Sequence, residues 1–168
     1  MEKIIFTVEK SEITKIGNRY LYGKNTTTRN RGELIEDFLR RYYLPETEWY
    51  KKDSVDFETG SDIEINDMKI SVKSGEFTLT EKIYTFEKSD DEKIRMIEEY
   101  AKRTHSNVVA YGKVVESENE YIFTIYTITI AQFIEIIKQV AVFTNITGTK
   151  RLKIKVKRDI TKYIEKAD

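Results

Sequence analysis

The stretch from Asp62 to Lys73 constrains the fold more than any other part of the chain. It reads Asp-Ile-Glu-Ile-Asn-Asp-Met-Lys-Ile-Ser-Val-Lys, with apolar and polar side chains alternating on both sides of Asn66-Asp67. Alternation is the period of a half-buried β-strand, and Asn66-Asp67 suits a two-residue hairpin turn. With the turn there, Ile65 faces Met68, Glu64 faces Lys69, Ile63 faces Ile70 and Asp62 faces Ser71. Successive side chains of a strand point to opposite faces. Ile63, Ile65, Met68, Ile70 and Val72 therefore share one face, which must be buried. Asp62, Glu64, Lys69, Ser71 and Lys73 share the other, so register alone gathers acids, lysines and a hydroxyl on one patch.

The rest of the sequence supplies layers for this hairpin. Ile4–Lys10 reads as a short strand or a disordered start. After the N-cap candidate Asn30, Leu34, Ile35, Phe38, Leu39 and Tyr42 recur at helical steps, and Pro45, the only proline, stops that helix. Asp53–Phe57 reads as a strand. A second helix starts at Ser89-Asp90-Asp91-Glu92, which has capping-box spacing, and carries Ile94, Ile97 and Tyr100 as its apolar stripe. Val108–Val115 and Tyr121–Ile130 are β-rich, and Ala131–Phe143 has a helical period. Leu152–Val156 alternates with lysines, and Asp159–Lys166 reads as a short last helix. This order predicts an α/β (α+β) fold, a central mixed β-sheet flanked by helices, in one domain over residues 1–168.

Composition removes several chemistries. There is no cysteine, which excludes disulfides, thiol catalysis and thiolate metal sites, and the single histidine, His105, excludes a His-rich metal site. No run of residues has the length and apolarity of a membrane span, and Met1–Thr7 lacks an apolar signal block, so a cytoplasmic protein without a membrane is expected. The 29 basic and 29 acidic side chains cancel, which does not by itself point to nucleic acid. The tail is locally basic, with Lys150, Arg151, Lys153, Lys155, Lys157 and Arg158 close together, and it suits a solvated strand edge as readily as a phosphate contact. Tyr84 and Phe86 lie close enough in sequence to the hairpin to touch a bound nucleic acid.

Carboxylates beside an ammonium are what metal-assisted phosphodiester hydrolysis needs. A hard cation takes carboxylate oxygens, polarises the phosphate and lowers the pKa of a bound water, while the ammonium steadies the developing charge. Asp62 followed across a hairpin by Ser71-Val72-Lys73 resembles the Asp…(Asp/Glu)-x-Lys signature of the PD-(D/E)xK nuclease superfamily. The likeness extends from about Arg31 to Ile130, through a preceding helix with Gly32 and Glu36 and a following helix and apolar strand.

The resemblance implies a restriction-endonuclease-like core and an Mg²⁺-dependent DNA endonuclease, with Mn²⁺ able to substitute. It implies that Asp62 and the Val72 carbonyl hold metal, that Lys73 serves the attacking water and that Glu36 lies at or beside the site. Ser71 stands where the signature has an acid. Some restriction enzymes with Ser-x-Lys take that carboxylate from a following helix, a place Glu87 fits; Glu81, Glu92 and Glu64 are rivals. The implied partners are double-stranded DNA and a second copy of the chain in a homodimer. A Holliday-junction resolvase or a phage or repair nuclease of the same fold is an alternative. A non-catalytic nucleic-acid-binding or assembly protein with a degenerate nuclease fold is another.

Overall fold

A computed structural model of the chain describes residues 1–17, 19–22, 28–48, 62–79 and 83–167. The expected strands near residues 110 and 125 form its centre. β-Branched and aromatic residues dominate both runs, and they pair as an antiparallel hairpin, here called β8 (Val108–Glu116) and β9 (Glu120–Thr129). The N-terminal segment is a full strand, β1 (Glu2–Glu9), antiparallel to β9. On the other flank β6 (Met68–Ser74) runs parallel to β8 and carries β5 (Ile63–Ile65) as its hairpin partner. The sheet order β1-β9-β8-β6-β5 is mixed, and helices cover both faces, as expected. A parallel pair needs a crossover. Between β6 and β8 it contains α2 (Asp90–Arg103), whose N-cap Ser89 accepts a hydrogen bond from the Glu92 amide at 3.2 Å.

One face of the sheet packs on α1 (Arg31–Tyr43). Its Leu34, Ile35, Phe38 and Leu39 are buried against Ile63, Ile65, Ile70 and Phe123, and Phe38 stacks on Phe6 with ring centroids 5.1 Å apart. The helix comes so close to β8 that a Cβ on Gly112 would lie 2.1 Å from Ile35 Cδ1 and 2.8 Å from Cγ1. Ile35 is fully buried, so it has little room to yield. Gly112→Ala should therefore cost about 1–3 kcal/mol through overpacking. A urea midpoint equal to that of the wild type would contradict the close approach.

The opposite face packs on α2 and on α3 (Ile130–Val140), through Met96, Ile97, Tyr100, Phe133, Ile137 and Val140. Here the sequence reading needs two corrections. Ile94 is 38% exposed, and Met96 takes its place in the buried stripe. The helix expected to run to Phe143 stops at Val140: Ala141 is extended, and Val142–Asn145 forms β10, paired with β11 (Leu152–Val156). Strand pairing has overridden a continuous helical period.

β11 also pairs with β7 (Phe77–Thr78), completing a small three-stranded sheet. A second small sheet, of β2 (Ile13–Ile16), β3 (Arg19–Tyr22) and β4 (Thr28–Asn30), leads into α1. The short last helix, α4 (Thr161–Lys166), packs on α3. The expected strand Asp53–Phe57 lies outside the described residues. Among the described residues no helix is long and apolar enough to cross a membrane.

Candidate functional site

Asn66 adopts the left-handed φ of 54° that a tight hairpin turn requires, so β5 and β6 meet in the expected register, Ile63 with Ile70, Glu64 with Lys69 and Ile65 with Met68. The apolar face is buried under α1 as expected. The polar face does not look out to solvent along its length. Ser71 is only 4% exposed, and Lys73 is half-buried. The cover comes from beyond the hairpin. The chain turns at Gly75, which has a φ of 56°, and lays Phe77 against Tyr111 and Phe133, with the Lys73 ammonium 5.9 Å from the Phe77 ring centroid.

Asp62 departs from the expected ladder. The strand pairing ends at Ile63, and Asp62 bends away instead of facing Ser71. Its amide donates to the Ile70 carbonyl at 2.9 Å, and its carboxylate accepts the Val72 amide at 2.5 Å. A side chain thus replaces the missing strand as partner for β6. In an extended strand the N–H and C=O of one residue point to the same side, so the Val72 carbonyl opens toward the side where Asp62 sits.

Burial holds Lys73 below the ordinary lysine range, and the negative charge of Asp62 partly restores it. The same carboxylate is felt by Tyr100 on α2, whose hydroxyl burial pushes up to about 12. Tyr111, beside Lys73 on β8, is likewise raised to about 12 by burial, and its hydroxyl donates to the Gly75 carbonyl at 3.0 Å.

Lys73 lines an open cleft of about 590 Å³ between the end of β6, the turn at Gly75 and the first turn of α1. Arg31 lines the cleft from the helix side. Its Nε is buried without a hydrogen-bond partner among the described residues, and its Nη1 lies where a Cβ on Gly75 would approach to 3.3 Å. Glu76 also lines the cleft, and its carboxylate is neutralised by an ion pair with Lys155 at 3.3 Å. Two cations from different elements therefore border the cleft, and the α1 N-terminus adds partial positive charge. Such a surface favours an anion. No family model, curated protein or solved structure matches the chain.

Of the residues singled out in the sequence, Asp62, Val72 and Lys73 come together here, with Ser71 buried beneath them. Glu64 stays on the ladder opposite Lys69, and Glu36 is half-buried in the middle of α1. Glu87 is exposed in the segment before α2, its amide bonded to Thr85 Oγ1, while Glu92 is engaged with Arg95. Glu81 lies outside the described residues. Among the described residues no three acidic or histidine side chains are grouped to hold a metal. Mg²⁺ commonly binds through one or two carboxylates, waters and substrate phosphate, so the oxygens of Asp62 and Val72 are a suitable donor set. Arg31 was not picked out in the sequence. Its signal, a cation directly after the N-cap residue, is shared by many solvated helix starts.

Proposed function

We propose that this chain is an Mg²⁺-dependent endonuclease that hydrolyses phosphodiester bonds of double-stranded DNA on a restriction-endonuclease-like core. The observation that carries the reading is an Asp62 carboxylate held on the Val72 amide and acting on the charge of the half-buried Lys73, which lines a cleft bordered by a second cation, Arg31. The order of helix, hairpin, crossover helix and parallel strand supports it, because it follows the PD-(D/E)xK pattern around these residues.

Asp62 and the Val72 carbonyl would hold the metal, and neither Glu64 nor Glu87 is placed beside them; a bound ion would polarise the phosphate and activate a water. The chain's own groups do the rest. The Arg31 guanidinium seats a backbone phosphate, since its planar fork matches two phosphate oxygens. The Lys73 ammonium orients the attacking water and steadies the charge that grows on the phosphate. The Phe77 ring, 5.9 Å from that ammonium, makes one side of its surroundings apolar, which strengthens its field. A palindromic target would pair two copies about a two-fold axis.

Ser71, buried where the signature has an acid, favours a second reading, a nucleic-acid-binding protein without cleavage. Incubating a supercoiled plasmid and a mixed-sequence duplex with the protein, in Mg²⁺ and in chelator, separates the two. Nicking that needs Mg²⁺ and disappears in Asp62→Ala supports the nuclease. DNA binding with no cleavage in Mg²⁺ or Mn²⁺ supports the second reading. A four-way junction cut in preference to the duplex would point to a resolvase.

A further inference from the structure

The small sheet of β7, β10 and β11 has an inner face and an outer face of opposite character. Leu152, Ile154 and Val156 of β11 are buried against the core, so the alternate residues Arg151, Lys153 and Lys155 point outward. Beside them, Thr85 exchanges backbone hydrogen bonds with Leu152, at 3.0 and 2.6 Å. Alternation then places Tyr84 and Phe86 on the outer face, next to the cations. Phe86 is 69% exposed and Tyr84 42% exposed. The Arg151 guanidinium lies 4.6 Å from the Tyr84 ring centroid.

An aromatic ring as exposed as Phe86 adds nothing to the core, and here it sits in a cationic field rather than an apolar patch. Lys150, Arg151, Lys153 and Lys157 have no carboxylate within ion-pair reach among the described residues; Lys155 has Glu76, and Glu87 is the exposed acid next to Phe86. We infer that this outer face binds single-stranded nucleic acid, with bases stacked on Phe86 and Tyr84 and phosphates on Arg151 and Lys153. Every base has a π-face, so such a platform takes unpaired bases without regard to sequence, while a duplex keeps its bases stacked inside and offers only phosphates. Charge complementarity selects a polyanion, and the exposed rings select the single-stranded one. The face adjoins the cleft through Glu76, which lines the cleft and pairs with Lys155, so a strand lying here runs toward Lys73. The inference does not require that the protein cut DNA.

Fluorescence anisotropy in chelator tests it, with a labelled oligothymidine and a labelled duplex of equal length. The wild type should bind the single strand more tightly than the duplex. Phe86→Ala and Phe86→Leu should each weaken single-strand binding by roughly 5- to 150-fold and leave duplex binding unchanged, because only stacking is lost. Arg151→Ala should weaken binding to both and lower the slope of log affinity against log salt by about one phosphate contact. Unaltered thermal midpoints verify that these surface variants fold. Preference for the duplex, or equal single-strand affinity in wild type and both Phe86 variants, would overturn the inference. So would binding of a polyglutamate peptide but of neither oligonucleotide. Because chelator blocks cleavage, failure here leaves the nuclease reading standing, and loss of cleavage leaves this one standing.

Discussion

Replacing Lys73 by alanine is expected to slow single-turnover cleavage of a duplex by roughly 10²- to 10³-fold, the usual loss when one preorganised donor to a developing oxyanion is removed. Mn²⁺ binding measured by calorimetry should persist, since Asp62 and the Val72 carbonyl remain. Lys73→Arg should rescue poorly, because a planar fork cannot take the place of a compact ammonium against Phe77. Cleavage by Lys73→Ala at the wild-type rate would remove the main support for an enzyme.

The pH dependence of this site has a definite sign. Burial lowers the Lys73 pKa in the folded protein, so the unfolded chain binds the proton more readily. Stability should therefore rise with pH between that lowered value and the ordinary lysine value of about 10.4, and the penalty for a buried ammonium is fully present below the lowered value. Cleavage should move the other way, falling as pH rises through the lowered value, because the ammonium is the form that steadies the phosphate. Urea midpoints across alkaline pH should show the rise in wild type and a flatter profile in Lys73→Ala. An identical slope in the two would mean that Lys73 is solvated.

How much of this was legible in the sequence differs from element to element. The turn at Asn66 and the register from Ile63 to Ile70 were readable because a period of two and a residue tolerant of left-handed φ are both local signals. The cover over Lys73 was not, because Phe77 reaches it only after the turn at Gly75 and against Tyr111, a partner distant in sequence. A polar letter on a strand reads as a solvated face until the tertiary neighbours are known. The start of β10, Val142 and Phe143, reads as helix because the apolar period continues past Val140 and no glycine or proline marks the break at Ala141. Arg31 was passed over because nothing in a helix's first turn tells a half-buried guanidinium beside Gly75 from one in solvent.

Asp62 is where the sequence-based expectation changes most, and its substitutions separate structure from chemistry. An exposed carboxylate opposite Ser71 would be removable without cost, but the Asp62 carboxylate is the acceptor for the Val72 amide. Asp62→Ala should lose about 1–3 kcal/mol, because that amide is left without a partner in a half-buried place. Asp62→Asn retains an oxygen acceptor and should recover most of the stability. It does not retain a negative charge, so a residue that ligates metal should leave both variants without measurable cleavage. Asparagine also removes the charge that holds the Lys73 pKa up, so in Asp62→Asn the alkaline rise in stability should begin at lower pH than in the wild type. Cleavage measured beside urea midpoints distinguishes the cases. Cleavage that follows stability, lost in Ala and restored in Asn, would make Asp62 a strand-edge partner and nothing more. Cleavage lost in both, with stability restored only in Asn, assigns the carboxylate a direct part in the reaction.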